Sequence, residues 1–289
     1  MSETRGKVNL FIVGVAKGGT TSLANYLMLH QDVCIYPKKE ANFFKSAAAN
    51  IPGSGPGDEY THSGELSLSE YERKFADKMY KLDASPVYMY DVESAVEIHK
   101  YNPQAKIICI ARDPLERAIS HYKHLLRDNR ESLGFEEALE MEEERKAIGY
   151  EFSWHYKKTS MYSSVLEKYL ELFSKNVLII SFSELSTSKT IERLEQFLGI
   201  SLEKKQLGQS NKSGRVKNRY IESILFKPNW FKSALKNIIP RSISSKLMDR
   251  ASSAFVSPFD VSFDDNNPRV RELIAEKESV RKIINDFKF

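Results

Sequence analysis

The chain has 289 residues, enough to bury a sizeable core without disulfide or metal staples, and its 41% hydrophobic and 28% charged residues exclude a disordered or collagen-like polymer. A net charge of +4 is too small to imply a nucleic-acid partner by itself, so the placement of the cations matters more than their total. The two cysteines, Cys34 and Cys109, sit in short β-branched runs with no zinc-ligand spacing and read as buried thiols of a reducing compartment. With no run of roughly 18 apolar residues and no secretory leader pattern, the sequence predicts a cytoplasmic protein.

In chain order, Val8 to Gly14 is a nearly continuous apolar run, as a parallel strand buried on both faces requires. It breaks at Gly14 into Val15-Ala16-Lys17-Gly18-Gly19-Thr20-Thr21-Ser22, after which Leu23, Tyr26, Leu27 and His30 recur at helical spacing. Val33 to Tyr36 reads as a second strand, stopped by Pro37. Residues 46–64 carry glycines and prolines at the density of a mobile surface loop. Ile107 to Ala111 is another buried strand, and Asp113-Pro114 then opens a helix with a cap and a proline at its first position. Residues 131–151, with Glu136, Glu137, Glu140, Glu142, Glu143 and Glu144, read as a solvated helix face. Tyr162, Leu166, Tyr169, Leu170 and Phe173 predict a helix, Val177 to Ile180 a strand, and Ile191, Leu194, Phe197 and Leu198 a helix closed by Gly199. The alternation predicts a single α/β domain over 1–289, a P-loop-like three-layer fold with a central parallel sheet flanked by helices. Its core is 8–215, with 216–289 a helical extension packed on it.

Glycines that free backbone amides at a helix N-terminus make an anion cradle, and the helix dipole adds to its pull. Gly14 and Gly19 have the spacing of a nucleotide triphosphatase loop, but Thr20 occupies the lysine position and the lysine stands three residues earlier, at Lys17. That rearrangement argues against ATP or GTP hydrolysis. A kinase-like nucleotide enzyme and a non-catalytic nucleotide-binding module are the alternatives. Asp113 is better explained as a helix cap than as a metal ligand, and no carboxylate cluster for magnesium is evident, so no metal is expected.

At these residues the sequence resembles the sulfotransferases that use 3′-phosphoadenosine-5′-phosphosulfate (PAPS). The segment Lys17, Gly18, Gly19, Thr20, Thr21 and Ser22 is similar to their loop for the 5′-phosphosulfate. Ile107 to Tyr122 is similar to their 3′-phosphate element, in which Arg112 and Ser120 would bind that phosphate. The likeness extends to the carbohydrate branch, with its heparan sulfate sulfotransferase domains and bacterial relatives. There, Pro37-Lys38-Lys39-Glu40-Ala41-Asn42-Phe43-Phe44 resembles the segment whose glutamate is the catalytic base, which implies that role for Glu40 and places Lys38 and Phe43 beside the acceptor. Asp83-Ala84-Ser85-Pro86-Val87-Tyr88 resembles the substrate-side segment, with Ser85 and Tyr88 matching and Ala84 standing where the heparan enzymes carry lysine. Lys212, Ser213, Gly214 and Arg215 hold the position of the family's segment that closes on the 3′-phosphate, though an ordinary basic loop reads the same way.

The resemblance implies sulfuryl transfer from PAPS, without a metal, to a hydroxyl, or less favourably an amine, of a glycan or glycolipid. Lys17 would stabilise the leaving bridging oxygen and Glu40 would take the acceptor proton. His121, His124 and His155 are rival bases, as in the small-molecule branch of the family. The basic stretch 227–250 suits either a pair of solvated helices packed on the domain or contact with an anionic acceptor or a membrane surface.

Overall fold

The computed structural model describes residues 6–45, 53–58, 66–203, 215–216, 256–257 and 260–287. Five strands, β1 (Leu10–Gly14), β2 (Val33–Ile35), β3 (Tyr80–Asp83), β4 (Lys106–Ala111) and β5 (Val177–Ser181), form one sheet in the order β2-β3-β1-β4-β5. Every pairing in it is parallel, with Ile12 opposite Ile108 and Ile108 opposite Leu178. Parallel strands need crossover connections, and these are supplied by α1 (Thr20–Leu27), α2 (Leu68–Glu72), α3 (Val92–Tyr101), α4 (Pro114–Arg127), α5 (Phe135–Glu140), α6 (Glu142–Ala147) and α7 (Ser163–Phe173). After β5 come α8 (Ser188–Leu198), the two-residue antiparallel pair β6 (Arg215–Val216) and β7 (Val256–Ser257), and α9 (Pro268–Asp286).

Side chains alternate across the sheet, which is why the strands are apolar throughout. Phe11, Val13, Ile107, Cys109, Val177 and Ile179 face α3, α7 and the C-terminal half of α9. Leu10, Ile12, Ile108, Ile110, Leu178 and Ile180 face α1 and α8. A third apolar cluster joins α4 and α5 to Trp154, Tyr156 and to Val270 and Leu273 of α9. Polar clamps lock α9 in place: Glu276 accepts from the Ser163 amide at 2.6 Å and from its hydroxyl at 3.0 Å, and Lys277 pairs with Asp113 at 2.7 Å. Asp113 itself caps α4, accepting from the amides of Leu115 and Glu116 at 3.0 and 3.1 Å.

Some of the chain departs from its sequence reading. Glu142 of the acid-rich segment is buried rather than solvated, because its carboxylate accepts the amides of Lys157 and Lys158, both at 2.8 Å. Glu131 is buried too, in a two-armed pair with Arg145 at 2.7 and 2.9 Å and a bond from the Tyr156 hydroxyl. Within the glycine-rich loop, residues 53–58 are tied down by the fully buried Asp58, which receives the Gly55 amide, the Trp154 indole and the Arg130 guanidinium. Cys109 is buried, Cys34 only partly, and both are free thiols. Among the described residues no helix is long and apolar enough to cross a membrane.

Because the sheet is parallel, the loops after β1, β2, β3 and β4 all leave its C-terminal edge. Between β3 and β4 the chain order reverses about β1, and such a switch point opens a crevice above the strand ends.

Candidate active site

Above β1 the chain folds into a tight loop closed by the Gly18 amide on the Val15 carbonyl at 2.8 Å. A Cβ on Gly18 would lie 2.7 Å from that same carbonyl, so only glycine fits the turn. Gly19 has φ 91° and begins α1 with no side-chain cap, and no acidic residue stands in the first turn. The helix dipole is therefore left uncompensated by the protein at the point where the sequence predicts an anion.

Lys17, at φ 71°, is the cation of this loop. Its pKa is lowered to about 8, by burial first and then by the charges of Arg127, Arg112 and Arg117, with Asp128 partly opposing them. A lysine in that state gains most from a dianion placed beside it.

Arg112 leaves the end of β4 and reaches back to the loop, donating from Nη1 to the Lys17 carbonyl at 2.8 Å. Its guanidinium lies 4.5 Å from the centre of the Phe182 ring, and Glu116 is 3.8 Å away. The Tyr162 hydroxyl pins its backbone by accepting from the Arg112 amide at 3.0 Å and donating to its carbonyl. The Arg112 Nε is buried without a hydrogen-bond partner and faces a Glu116 carboxylate oxygen at 3.8 Å. Ser120 follows on α4, nearly buried. Lys212, Ser213 and Gly214 lie outside the described residues, as does 227–250. Arg215 is described only through its backbone, paired with Ser257.

The segment after β2 meets the loop. Lys39 Nζ donates to Thr21 Oγ1 at 2.9 Å and to Glu40 Oε1 at 2.6 Å, so one ammonium joins the helix start to the predicted base. Lys38, Lys39's neighbour, is exposed. In a Lys-Lys-Glu run the two lysines look alike, and only the φ of 67° at Lys39 decides which turns inward. Of five non-glycine residues with positive φ among the described residues, three lie here: Lys17, Lys39 and Asn42. Each such conformation costs roughly 1 kcal/mol and survives only where surrounding contacts hold it.

Around Asn42 those contacts lead to a fully buried carboxylate, Asp83, at the end of β3. Ser85 donates to Oδ1 at 2.6 Å, and Tyr71 and Tyr88 both donate to Oδ2 at 2.8 Å. Burial pushes the Asp83 pKa up, and the bonds from Ser85, Tyr88, Tyr71 and the Ala41 amide pull against it. Burial and then the Asp83 charge push both tyrosine pKa values well above the ordinary range, so they remain donors. The Asn42 amide donates to Ser85 Oγ at 3.0 Å, and the Phe44 amide to the Tyr88 hydroxyl at 3.2 Å. Ser85 and Tyr88, predicted on the substrate side, are thus fully buried and occupied with the backbone of the segment that carries Glu40. Phe43 stacks on Tyr71 with centroids 4.4 Å apart, and Phe44 packs edge-on against Phe11 at 5.9 Å.

The histidines sit elsewhere, His121 and His124 on α4 and His155 just after the 152–154 turn. His121 Nδ1 lies 2.7 Å from Arg117 Nη2, and burial followed by the Arg117 charge holds its pKa well below the ordinary value. Burial first, then neighbouring lysine charge, lowers His124 and His155 to about 4. Among the described residues, no three His, Cys, Asp or Glu side chains converge as metal ligands.

A glycine loop with an uncompensated helix start, a lysine in it and an arginine from the next strand define an anion-handling α/β transferase site. Residues 7–224 match the Sulfotransferase domain family, and the chain belongs to that family. It is similar to a sulfotransferase from Alicyclobacillus acidocaldarius, 36% identical, with a TM-score of 0.65 over 71% of this chain and 86% of that one. Among curated relatives it is 26% identical over 192 residues to heparan sulfate glucosamine 3-O-sulfotransferase 3A1 of Mus musculus, covering 65% of this chain and 45% of that protein. To heparan sulfate glucosamine 3-O-sulfotransferase 5 of Homo sapiens it is 30% identical over 172 residues, covering 56% and 44%. The chain spans less than half the length of either relative.

Proposed function

We propose that the protein transfers a sulfuryl group from PAPS to a hydroxyl of a glycan or glycolipid, with Glu40 as general base. The observation that carries this reading is the Lys39 bridge, which ties the candidate base to the Thr21 hydroxyl at the start of α1. A base and an anion cradle joined by one side chain suit in-line transfer, in which acceptor oxygen and donor must be fixed relative to each other. The heparan sulfate relatives support a glycan acceptor.

PAPS would supply the sulfuryl group and a bisphosphate leaving group. The residues fit such a donor: an uncapped helix start, a loop that admits no Cβ at Gly18, a lysine with a lowered pKa and a buried Arg112 Nε with no hydrogen bond. Lys17 and the amides of Gly19 to Ser22 would hold the 5′ end, with Gly18 shaping the loop through its own bond to Val15, and Arg112 and Ser120 would hold the 3′-phosphate, with Lys212 to Arg215 completing the donor site. Lys17 places its positive charge where negative charge grows on the leaving oxygen. Lys39 fixes the Glu40 rotamer through Oε1, so an acceptor hydroxyl at Oε2 gives up its proton there. Lys38 and Phe43 would contact the acceptor at the rim.

The test is binding of adenosine 3′,5′-bisphosphate against Mg-ATP, followed by labelled-PAPS turnover over a panel of heparan sulfate fragments, neutral glycans and glycolipids. Tight metal-independent bisphosphate binding and transfer to a panel member, both lost in Lys17→Ala, are expected. Preference for Mg-ATP, or bisphosphate binding with no acceptor in the panel, overturns the assignment.

A further inference from the structure

The 39–44 segment is not self-supporting. Lys39 and Asn42 both have positive φ, one on each side of Glu40 and Ala41, and the Asn42 Oδ1 is buried without a partner. What holds it converges on one carboxylate: the Ala41 amide bonds Asp83 directly, and in a relay the next amides donate to hydroxyls that in turn donate to Asp83. Asn42 N reaches Ser85 Oγ at 3.0 Å, and Ser85 Oγ reaches Asp83 Oδ1 at 2.6 Å. Phe44 N reaches Tyr88 OH at 3.2 Å, and Tyr88 OH reaches Asp83 Oδ2 at 2.8 Å. A hydroxyl has a single proton, and spending it on Asp83 turns the oxygen lone pairs toward the amides. We propose that Asp83, acting through Ser85 and Tyr88, is the positioning residue that sets Glu40 against the donor loop.

The direction of every bond depends on Asp83 being an acceptor at both oxygens. An asparagine there presents an NH₂ group to Ser85 or to the two tyrosines, so at least one hydroxyl must turn its proton to another acceptor, which loosens its hold on the amide it receives. Tyr71 provides the internal contrast. It donates to the same carboxylate at 2.8 Å and is equally buried, but no amide of residues 41–44 donates to it.

This inference rests on Glu40 being the base. The experiment combines hydrogen exchange of residues 40–45, bisphosphate affinity, and kcat with the acceptor found in the turnover panel. The full chain is compared with Asp83→Asn, Ser85→Ala, Tyr88→Phe and Tyr71→Phe. Ser85→Ala and Tyr88→Phe should speed amide exchange at 42 and 44 and lower kcat by about tenfold or more with bisphosphate affinity unchanged. Tyr71→Phe, at a similar loss of melting temperature, should lose less kcat and leave 42 and 44 protected. If Asp83→Asn does not fold, the two hydroxyl variants decide the matter. Equal kcat losses in Tyr88→Phe and Tyr71→Phe, or retained protection at 42 and 44, would overturn the relay. A Glu40→Gln variant with full activity refutes the base instead, which separates the two failures.

Discussion

Lys17 offers a quantitative test of the donor site. In the free protein its pKa is about 8, against an ordinary 10.5. Anionic phosphates placed beside it return the ammonium toward the ordinary value, so binding takes up a proton wherever the pH exceeds the free-state pKa. The sign follows: below pH 7 Lys17 is charged in both states and adds no slope, and above it the free protein must first be protonated, so affinity falls. With a bound value near 10.5, affinity for adenosine 3′,5′-bisphosphate drops about tenfold between pH 7 and pH 9, or about 1.4 kcal/mol. Calorimetry at pH 8 in two buffers of different ionisation enthalpy should read about half a proton taken up per site. Lys17→Arg, charged throughout, should lose both the uptake and the slope. Flat affinity across this range, or the same slope in Lys17→Arg, would refute the placement of Lys17 at the anion.

Two further substitutions probe the scaffold. Gly18→Ala puts a Cβ 2.7 Å from the Val15 carbonyl and should weaken bisphosphate binding by about tenfold or more, whereas Gly134→Ala, where a Cβ meets nothing within 4 Å, should leave it unchanged by calorimetry. Glu131→Ala strands the buried Arg145 and should cost about 3–5 kcal/mol in denaturant unfolding. Burial raises the Glu131 pKa, but the bonds from Arg145, the Leu133 amide and Tyr156 outweigh it, for a net lowering from 4.5. Its stabilisation is therefore complete above pH 4.5 and disappears as the pH falls through the lower folded value, an acid sensitivity that Glu131→Ala should lack.

The parts of the site legible in the sequence were those with local causes. Gly14, Gly18 and Gly19 announce a turn into a helix because their spacing and their backbone freedom are local properties. Asp113-Pro114 announces a helix start for the same reason, and the structure has Asp113 capping α4. What escaped was set by partners far along the chain. Asp83 stood in a recognised segment, yet its role depends on Tyr71, Ser85, Tyr88 and the 41–44 backbone converging on one carboxylate. Lys39 was indistinguishable from Lys38 until a positive φ turned it inward. Glu131 and Glu142 looked like solvated acids because their partners, Arg145, Tyr156 and the amides of Lys157 and Lys158, lie 14 or more residues away.

The central claim is that Glu40 takes the acceptor proton beside a PAPS-binding loop. Single-turnover transfer of labelled sulfate to the acceptor from the panel, with bisphosphate affinity measured on the same preparation, tests it most directly in Glu40→Gln. The account predicts a fall in rate of about a hundredfold or more with bisphosphate affinity unchanged, since general-base removal commonly costs that much. Wild-type transfer rates in Glu40→Gln would contradict it.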